Sequence, residues 1–253
     1  MSKGLYTTEA LILRCRRYRE ADGLLVLLTR ERGKVNAVAK GIFKPSSSLR
    51  GGVQTFTLSA MQLYAGKSNL HTVTQSQCQE AFLTLREQLD GMLTAACWAE
   101  LLEALLPEEE ADEALFALAL TGFYALAVKA APLIRRGLEV QLMNALGYEP
   151  VLDGCVECQR RFLEDAPVFF SLNRGGLVCG RCRQSGDLPV GGEAVALWRM
   201  LGKMDCGKVG RIKGRPFAIK QLGSVVEAWI AAQVGRPMRS WGVIKTMGGL
   251  SDD

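Results

Sequence analysis

A single histidine, His71, serves all 253 residues of this chain. A histidine-based triad needs a nucleophile and an acid converging on one imidazole, and nothing in the sequence marks either partner. His71 falls in a stretch of strand-like alternation and is expected at the surface of a β element. Long hydrophobic runs are also missing. Apolar residues make up 48% of the chain, yet no stretch of about eighteen runs without a charge or a breaker. The run Leu24 to Leu28 is strand-sized. The N-terminus carries no signal-peptide core, so a soluble, cytoplasmic protein is expected. No phosphate-binding loop is present. Gly66-Lys67-Ser68 imitates the end of one, but its first glycine would fall at Met61. The context there is strand–turn–strand, where such a loop needs strand–loop–helix. No carboxylate pair stands out at catalytic spacing, and Glu108-Glu109-Glu110 reads as a helix N-terminus. ATP hydrolysis and hydrolytic chemistry are not expected, and the chain reads as a non-enzyme.

The net charge of +5 hides a division along the chain. Residues 1–80 carry twelve basic against five acidic residues, residues 81–150 four against eleven, and residues 151–253 fifteen against ten. A basic domain, an acidic helical segment and a basic tail point to a polyanionic partner, nucleic acid, with ordinary solvated surface as the alternative.

Four of the eight cysteines form two pairs, Cys155-x-x-Cys158 and Cys179-x-x-Cys182, separated by twenty residues. A two-residue gap turns both sulfurs of a pair toward one point, and two such knuckles supply a closed tetrahedral zinc site. Gly175-Gly176 provides the turn before the second knuckle. The reading is one structural zinc per chain, with an iron–sulfur cluster or redox-active thiol pairs as the alternatives. Four sulfurs leave no open coordination position, so the metal holds shape and does no chemistry. Cys15, Cys78, Cys97 and Cys206 are scattered and read as buried thiols of a reducing compartment.

Residues 6–76 alternate as strands: Tyr6 to Arg14, Gly23 to Thr29, Val35 to Val38, Val53 to Tyr64 and Leu70 to Gln75. A Pro/Ser/Gly loop follows the third strand, and Ala65 to Asn69 makes a hairpin turn. Five strands in about seventy residues with one long loop fit an OB-type barrel, a fold that binds single strands across an open face. From Gln79 the period changes to helical. Gly91 is expected to bend or divide the first helix, and Pro107 to end it. Leu115 to Val128 follows as a central bundle helix. The next helix opens at Pro132, with Arg135, Arg136 and Glu139 on its polar side, and closes at Gly147. Further helices are expected at Glu193 to Met204, at Phe217 to Val234, and after Pro237. The predicted architecture is α+β and multi-domain. An OB-fold barrel at 1–78 is followed by an α-helical bundle at 79–253, into which a zinc module is inserted at 153–188.

These parts resemble the RecO family of bacterial recombination mediators. Tyr18 to Thr29, followed by Gly33-Lys-Val-Asn-Ala-Val-Ala-Lys-Gly41, is similar to that family's barrel signature. Leu49-Arg-Gly and Gln54-Thr-Phe-Thr57 extend the likeness. So do Arg135-Arg136 through Leu146-Gly147-Tyr148, and Gly235-Arg-Pro-Met-Arg-Ser240. The resemblance implies a nucleoid-associated protein of RecF-pathway repair. Such a protein binds single- and double-stranded DNA, anneals complementary strands and acts with RecR. It engages the acidic C-terminal tail of the single-stranded DNA-binding protein and helps load RecA.

At residue level, Arg14, Arg17, Arg19, Lys34, Lys40, Lys44 and Arg50 are the candidate DNA contacts, with Arg16 beside them. The acidic tail needs a cation next to an apolar groove. Lys129, Arg135 and Arg136 beside Leu133, Leu138 and Leu142 form the expected receptor, and Arg236 with Arg239 is the next candidate. The competing reading pairs Arg135 and Arg136 with Glu139 or other bundle acids. A zinc-stabilised RNA-binding factor or a protein-interaction scaffold is the alternative function, since DNA and RNA present the same phosphates.

Overall fold

The computed structural model describes residues 4–66, 68–162, 167–204, 208 and 212–247. Cys206 and Lys67 lie outside them. The chain forms two compact units, Met1–Ala127 and Val128–Asp253. The helical region that begins after residue 78 is therefore shared between both.

The first unit is built on five strands: β1 (Gly4–Tyr18), β2 (Asp22–Thr29), β3 (Gly33–Ala39), β4 (Leu58–Ala65) and β5 (Leu70–Glu80). They close into a barrel in the order β1-β2-β3-β5-β4. All neighbours are antiparallel except β3 and β5, which run parallel from Asn36↔Leu70 to Val38↔Thr72. This is the OB fold. Alternation drives closure. Ala10, Ile12, Leu25, Leu27, Val35, Ala37, Met61, Leu63 and Val73 point inward and are at most 3% exposed. The opposite faces of β1 and β2 are apolar too. Leu11, Val26 and Leu28 are buried on that side, where helix α2 (Leu89–Leu105) contacts β1. β1 and β5 run further than the alternation suggests, whereas β4 starts only at Leu58. Ahead of it come a 3-10 turn at Arg50–Gly52 and Phe56, an aromatic residue held at φ 62°.

Helix α1 (Leu83–Glu87) is separated from α2 at Gln88, whose backbone is extended. The break expected at Gly91 thus falls three residues earlier. Gly91 lies inside α2 at a close approach, where a Cβ would stand 2.9 Å from the Leu85 carbonyl oxygen. Helix α3 (Glu113–Val128) is capped by Asp112, whose carboxylate accepts the Leu115 amide at 2.9 Å. Glu108-Glu109-Glu110 is therefore no helix N-terminus. It runs along the free edge of β3: Glu108 bridges Lys34 in parallel, and the Glu109 amide donates to the Lys34 carbonyl at 2.9 Å. Because β5 pairs with β3 only from Asn36 onward, this acidic run seals the remaining seam of the barrel.

The second unit holds α4 (Pro132–Ala145), the sheet β6 (Val168–Ser171), β7 (Gly176–Cys179) and β8 (Leu188–Val190), then α5 (Gly192–Lys203), α6 (Pro216–Val234) and α7 (Arg239–Thr246). The sheet order is β7-β6-β8, antiparallel throughout. Phe170 of β6 packs on Trp198 of α5 and Trp229 of α6, with ring centroids 4.9 and 5.8 Å away. The cysteine-bearing sheet thereby shares its core with the helices. No helix among the described residues is long and apolar enough to cross a membrane.

Candidate nucleic-acid surface and metal centre

The strand register gathers cations at one end of the barrel. Arg17 lies opposite Gly23, which lies opposite Ala39, so the ends of β1 and β3 share a row across β2. The Gly41 amide donates to Asp22 at 2.8 Å, and the Phe43 amide to the Ala21 carbonyl at 3.0 Å. These bonds tie the loop after β3 to the β1–β2 hairpin. Lys40 and Lys44 are carried on that loop. Arg50 follows in the turn that Leu49 anchors to β5, through a 3.2 Å bond from the Ser76 hydroxyl. Arg17, Arg19, Lys40, Lys44 and Arg50 are all exposed, and none forms an ion pair with a described residue. Two guanidiniums stack on rings instead, Arg17 at 4.7 Å from the Phe43 centroid and Arg19 at 5.2 Å from that of Tyr18. Sequence reasoning missed Phe43 as a support for Arg17. Its signal was only an aromatic residue in a basic loop.

Arg14 and Lys34 belong elsewhere. Arg14 makes a 2.6 Å ion pair with Glu103 of α2, and the Lys34 ammonium donates to the Glu103 carbonyl at 2.6 Å. Burial pushes Lys34 below its ordinary range, against the opposing pull of Glu108 and Glu103. Both side chains are engaged by Glu103 of α2, Arg14 by its carboxylate and Lys34 by its carbonyl, so among the candidate DNA contacts the unpaired cations are those at the barrel's end.

His71 corrects another expectation. It is 2% exposed, shares a 2.7 Å hydrogen bond with the Tyr6 hydroxyl, and meets Glu109 at 3.1 Å. Burial pushes the Tyr6 hydroxyl up to about 12, with Arg32 opposing. Cys97 is buried and Cys15 half-buried, but Cys78 is exposed, so the expectation of buried thiols fails at Cys78.

The receptor expected around Arg135 and Arg136 is not on a surface. Arg135 is 5% exposed and donates to Glu139 at 2.9 Å and to Glu227 of α6 at 3.0 Å. Arg136 reaches the same two acids at 2.6 and 2.7 Å, and Lys245 of α7 meets Glu227 at 2.8 Å. Burial pushes the Glu227 carboxyl up, but Arg136, Lys245 and Arg135 outweigh it and hold the group below the usual carboxylate range. Leu133, Leu138 and Leu142 are core residues, and only Lys129 of this set is exposed. The competing reading, internal pairing, is the one the structure supports.

The cysteine quartet assembles as its spacing predicts. The four sulfurs of Cys155, Cys158, Cys179 and Cys182 lie within 4.8 Å of one another, and none is in a disulfide. Tetrahedral zinc at about 2.3 Å from each sulfur sets neighbouring sulfurs roughly 3.8 Å apart, and Cys158 and Cys179 are 3.9 Å apart. Backbone bonds shape both knuckles: the Gln159 amide donates to the Cys155 carbonyl at 2.8 Å and the Cys182 amide to that of Cys179 at 3.0 Å. Arg174 clamps the two together by donating to Glu157, to the Cys182 carbonyl and to Asp187. Burial pushes the Cys155 thiol up, but the amides of Cys158, Cys179 and Glu157 bring it down to about 6. Cys182 is pushed up to about 12, first by its bond to Cys179 and then by burial and the other sulfurs. Thiolates this close repel one another, and a cation among them would offset that repulsion. The donor set and spacing therefore suit a bound metal ion.

Two family models cover almost the whole chain. The one described as Recombination protein O N terminal matches residues 1–82, and Recombination protein O C terminal matches residues 86–242. Curated relatives called DNA repair protein RecO match over similar lengths. That of Heliobacterium modesticaldum is 40% identical over 249 residues, covering 96% of this chain and 90% of the relative. That of Moorella thermoacetica is 34% identical, covering 99% and 94%, and that of Desulfitobacterium hafniense strain DSM 10664 is 36% identical, covering 94% and 88%.

Proposed function

Because the chain belongs to the RecO family of DNA repair proteins, we propose that it is a DNA-binding mediator of RecF-pathway recombination that works by binding rather than by catalysis. One observation carries this reading: five exposed cations, Arg17, Arg19, Lys40, Lys44 and Arg50, share one end of an OB barrel with no acidic partner among the described residues. Cations grouped at the end of a barrel meet phosphates without reading bases, so single- and double-stranded DNA both bind and sequence matters little. Two complementary strands repel each other through their phosphates. A protein that neutralises charge on both lowers that barrier, and annealing follows without ATP.

The cysteine quartet holds one structural zinc ion in this reading. Cys155, Cys158, Cys179 and Cys182 supply all four ligands, and the ion pins the two knuckles beside β7. RecR and the acidic tail of the single-stranded DNA-binding protein are the proposed protein partners, with RecA loading as the outcome. With Arg135 and Arg136 paired internally, the exposed Arg236, just ahead of α7, and Arg239, its first residue, become the proposed tail receptor. The cytoplasm, at the nucleoid, is the corresponding location. Fluorescence anisotropy with a labelled single strand of DNA and an RNA of the same sequence tests the reading. Tighter binding to DNA, with ATP-independent annealing of complementary oligonucleotides, supports it. Preference for RNA would move the chain to the alternative class.

A further inference from the structure

Charge is divided between the two units in a way that the barrel alone does not explain. Residues 1–127 carry thirteen basic and fourteen acidic residues, whereas residues 128–253 carry eighteen and twelve. The excess positive charge therefore belongs to the second unit, where the buried Arg135 and the partly buried Arg136 are paired with Glu139 and Glu227. Residues 212–220 contain Lys213, Arg215 and Lys220 and no acidic residue. Lys213 and Lys220 are exposed and have no ion-pair partner among the described residues. Arg215 is 84% exposed at the side chain and meets Glu193 only at 3.8 Å. A surface contact that long contributes little and yields readily to a phosphate.

Phe217 stands in the middle of this patch, in the first turn of α6, and is 75% exposed. The inward side of the same helix is filled by Ala218, Leu222, Val225, Val226 and Trp229, so its fold does not require Phe217. An exposed ring on its own is ordinary, but this one offers a flat apolar face among cations. Cations around an open aromatic face are what a single nucleic-acid strand needs: phosphates meet the cations and a base stacks on the ring. We propose that Lys213, Arg215, Phe217 and Lys220 form a second nucleic-acid surface, selective for single strands. An acidic protein segment would match the lysines but would gain little from a flat ring that lies open to solvent. The inference goes beyond the barrel surface proposed above and gives annealing a physical basis, since one chain then has a place for each of two strands.

The test uses the full chain, a fluorescein-labelled oligothymidylate of roughly thirty nucleotides, about two OB-sized sites, and a labelled duplex of equal length. Phe217→Ala is expected to weaken oligothymidylate binding about tenfold and to leave duplex binding unchanged, because a duplex offers no unstacked base. The effect is read in the Arg17→Ala, Lys40→Ala background, which lowers the barrel contribution. The Lys213→Ala, Lys220→Ala pair should lower the salt slope for oligothymidylate by roughly 1.4, at about 0.7 per phosphate contact. Annealing should slow in both variants while the thermal midpoint stays that of the parent protein. Unchanged oligothymidylate binding in Phe217→Ala overturns the proposal, and so does an equal loss for single strand and duplex. Loss of binding to the purified single-stranded DNA-binding protein, with DNA binding intact, would reassign the patch to a protein partner. If only the barrel substitutions weaken binding, the barrel reading stands and this one falls. If only the Phe217 and lysine substitutions do, the reverse holds.

Discussion

An arginine's charge tells little until its neighbours are known, and the basic residues of this chain divide accordingly. Arg17→Ala with Lys40→Ala removes two unpaired cations, so DNA affinity should fall for every sequence alike. The log–log salt slope for a single strand should flatten by roughly 1.4, measured by anisotropy across a salt series. Arg14→Ala, by contrast, removes a cation already 2.6 Å from Glu103, and the slope should stay where it is. The arginines of α4 act on folding. Removing Arg136 leaves Glu139 and Glu227 buried with less compensation, and breaking such a buried network costs about 3–5 kcal/mol. Urea denaturation of Arg136→Ala should register that loss, while DNA binding by the barrel persists. The same network has a pH signature. Glu227 is held below the usual carboxylate range by its cations, so its contribution is complete above the ordinary carboxylate pKa of about 4.3. It is lost as pH falls through the lowered folded-state value. Glu227→Gln should flatten the acid limb of a stability–pH curve.

Among the secondary-structure elements, some were legible in the sequence and some were not, for definite reasons. The cysteine knuckles were legible because each pair is local and its spacing alone aims two sulfurs at one point. The barrel was legible because period-two alternation survives where its strands line the apolar interior, as at Ile12, Leu25 and Leu63. The buried Arg135–Glu227 pair was not, because its partners are 92 residues apart and local pattern places Arg135 on a polar face. Nor was the role of Glu108-Glu109-Glu110. An acidic run after a proline looks like a helix start, and only the unpaired edge of β3 gives it another use. That use can be tested at Gly33. Its φ is +64°, and a Cβ there would lie 1.9 Å from the Glu110 carbonyl oxygen. Gly33→Ala should therefore strain the turn and push the sealing run away, with a loss of thermal stability. Gly51→Ala is the matched control: nothing lies within 4 Å of a Cβ at that position, and the thermal midpoint should not move. For the knuckles, chelation should release one metal ion per chain and loosen the sulfur-bearing turns. The packing of Phe170 on Trp198 and Trp229 should outlast it, so the change in tryptophan fluorescence should be small.

Across the whole molecule, the first unit is close to neutral even though its barrel strands are strongly basic, because its own helices and the acidic run between them carry the balancing charge. Glu103 among those acids occupies Arg14 and its carbonyl holds Lys34, which leaves the barrel's end as a compact positive pole. Attraction of DNA to this unit is therefore local and should fade quickly as salt shortens the screening length to about 8 Å at physiological ionic strength. The seal on β3 also has a history in time. The five strands are complete once Glu80 has been made, but the run that covers Gly33–Val35 ends at Glu110, thirty residues later. In that interval a nascent chain offers a bare strand edge, a template onto which another chain can add. A fragment ending at Glu80 should accordingly self-associate in size-exclusion chromatography, and one ending at Ala127 should stay monomeric. On the ribosome, the unsealed barrel is therefore the stage at which association with another chain is most expected.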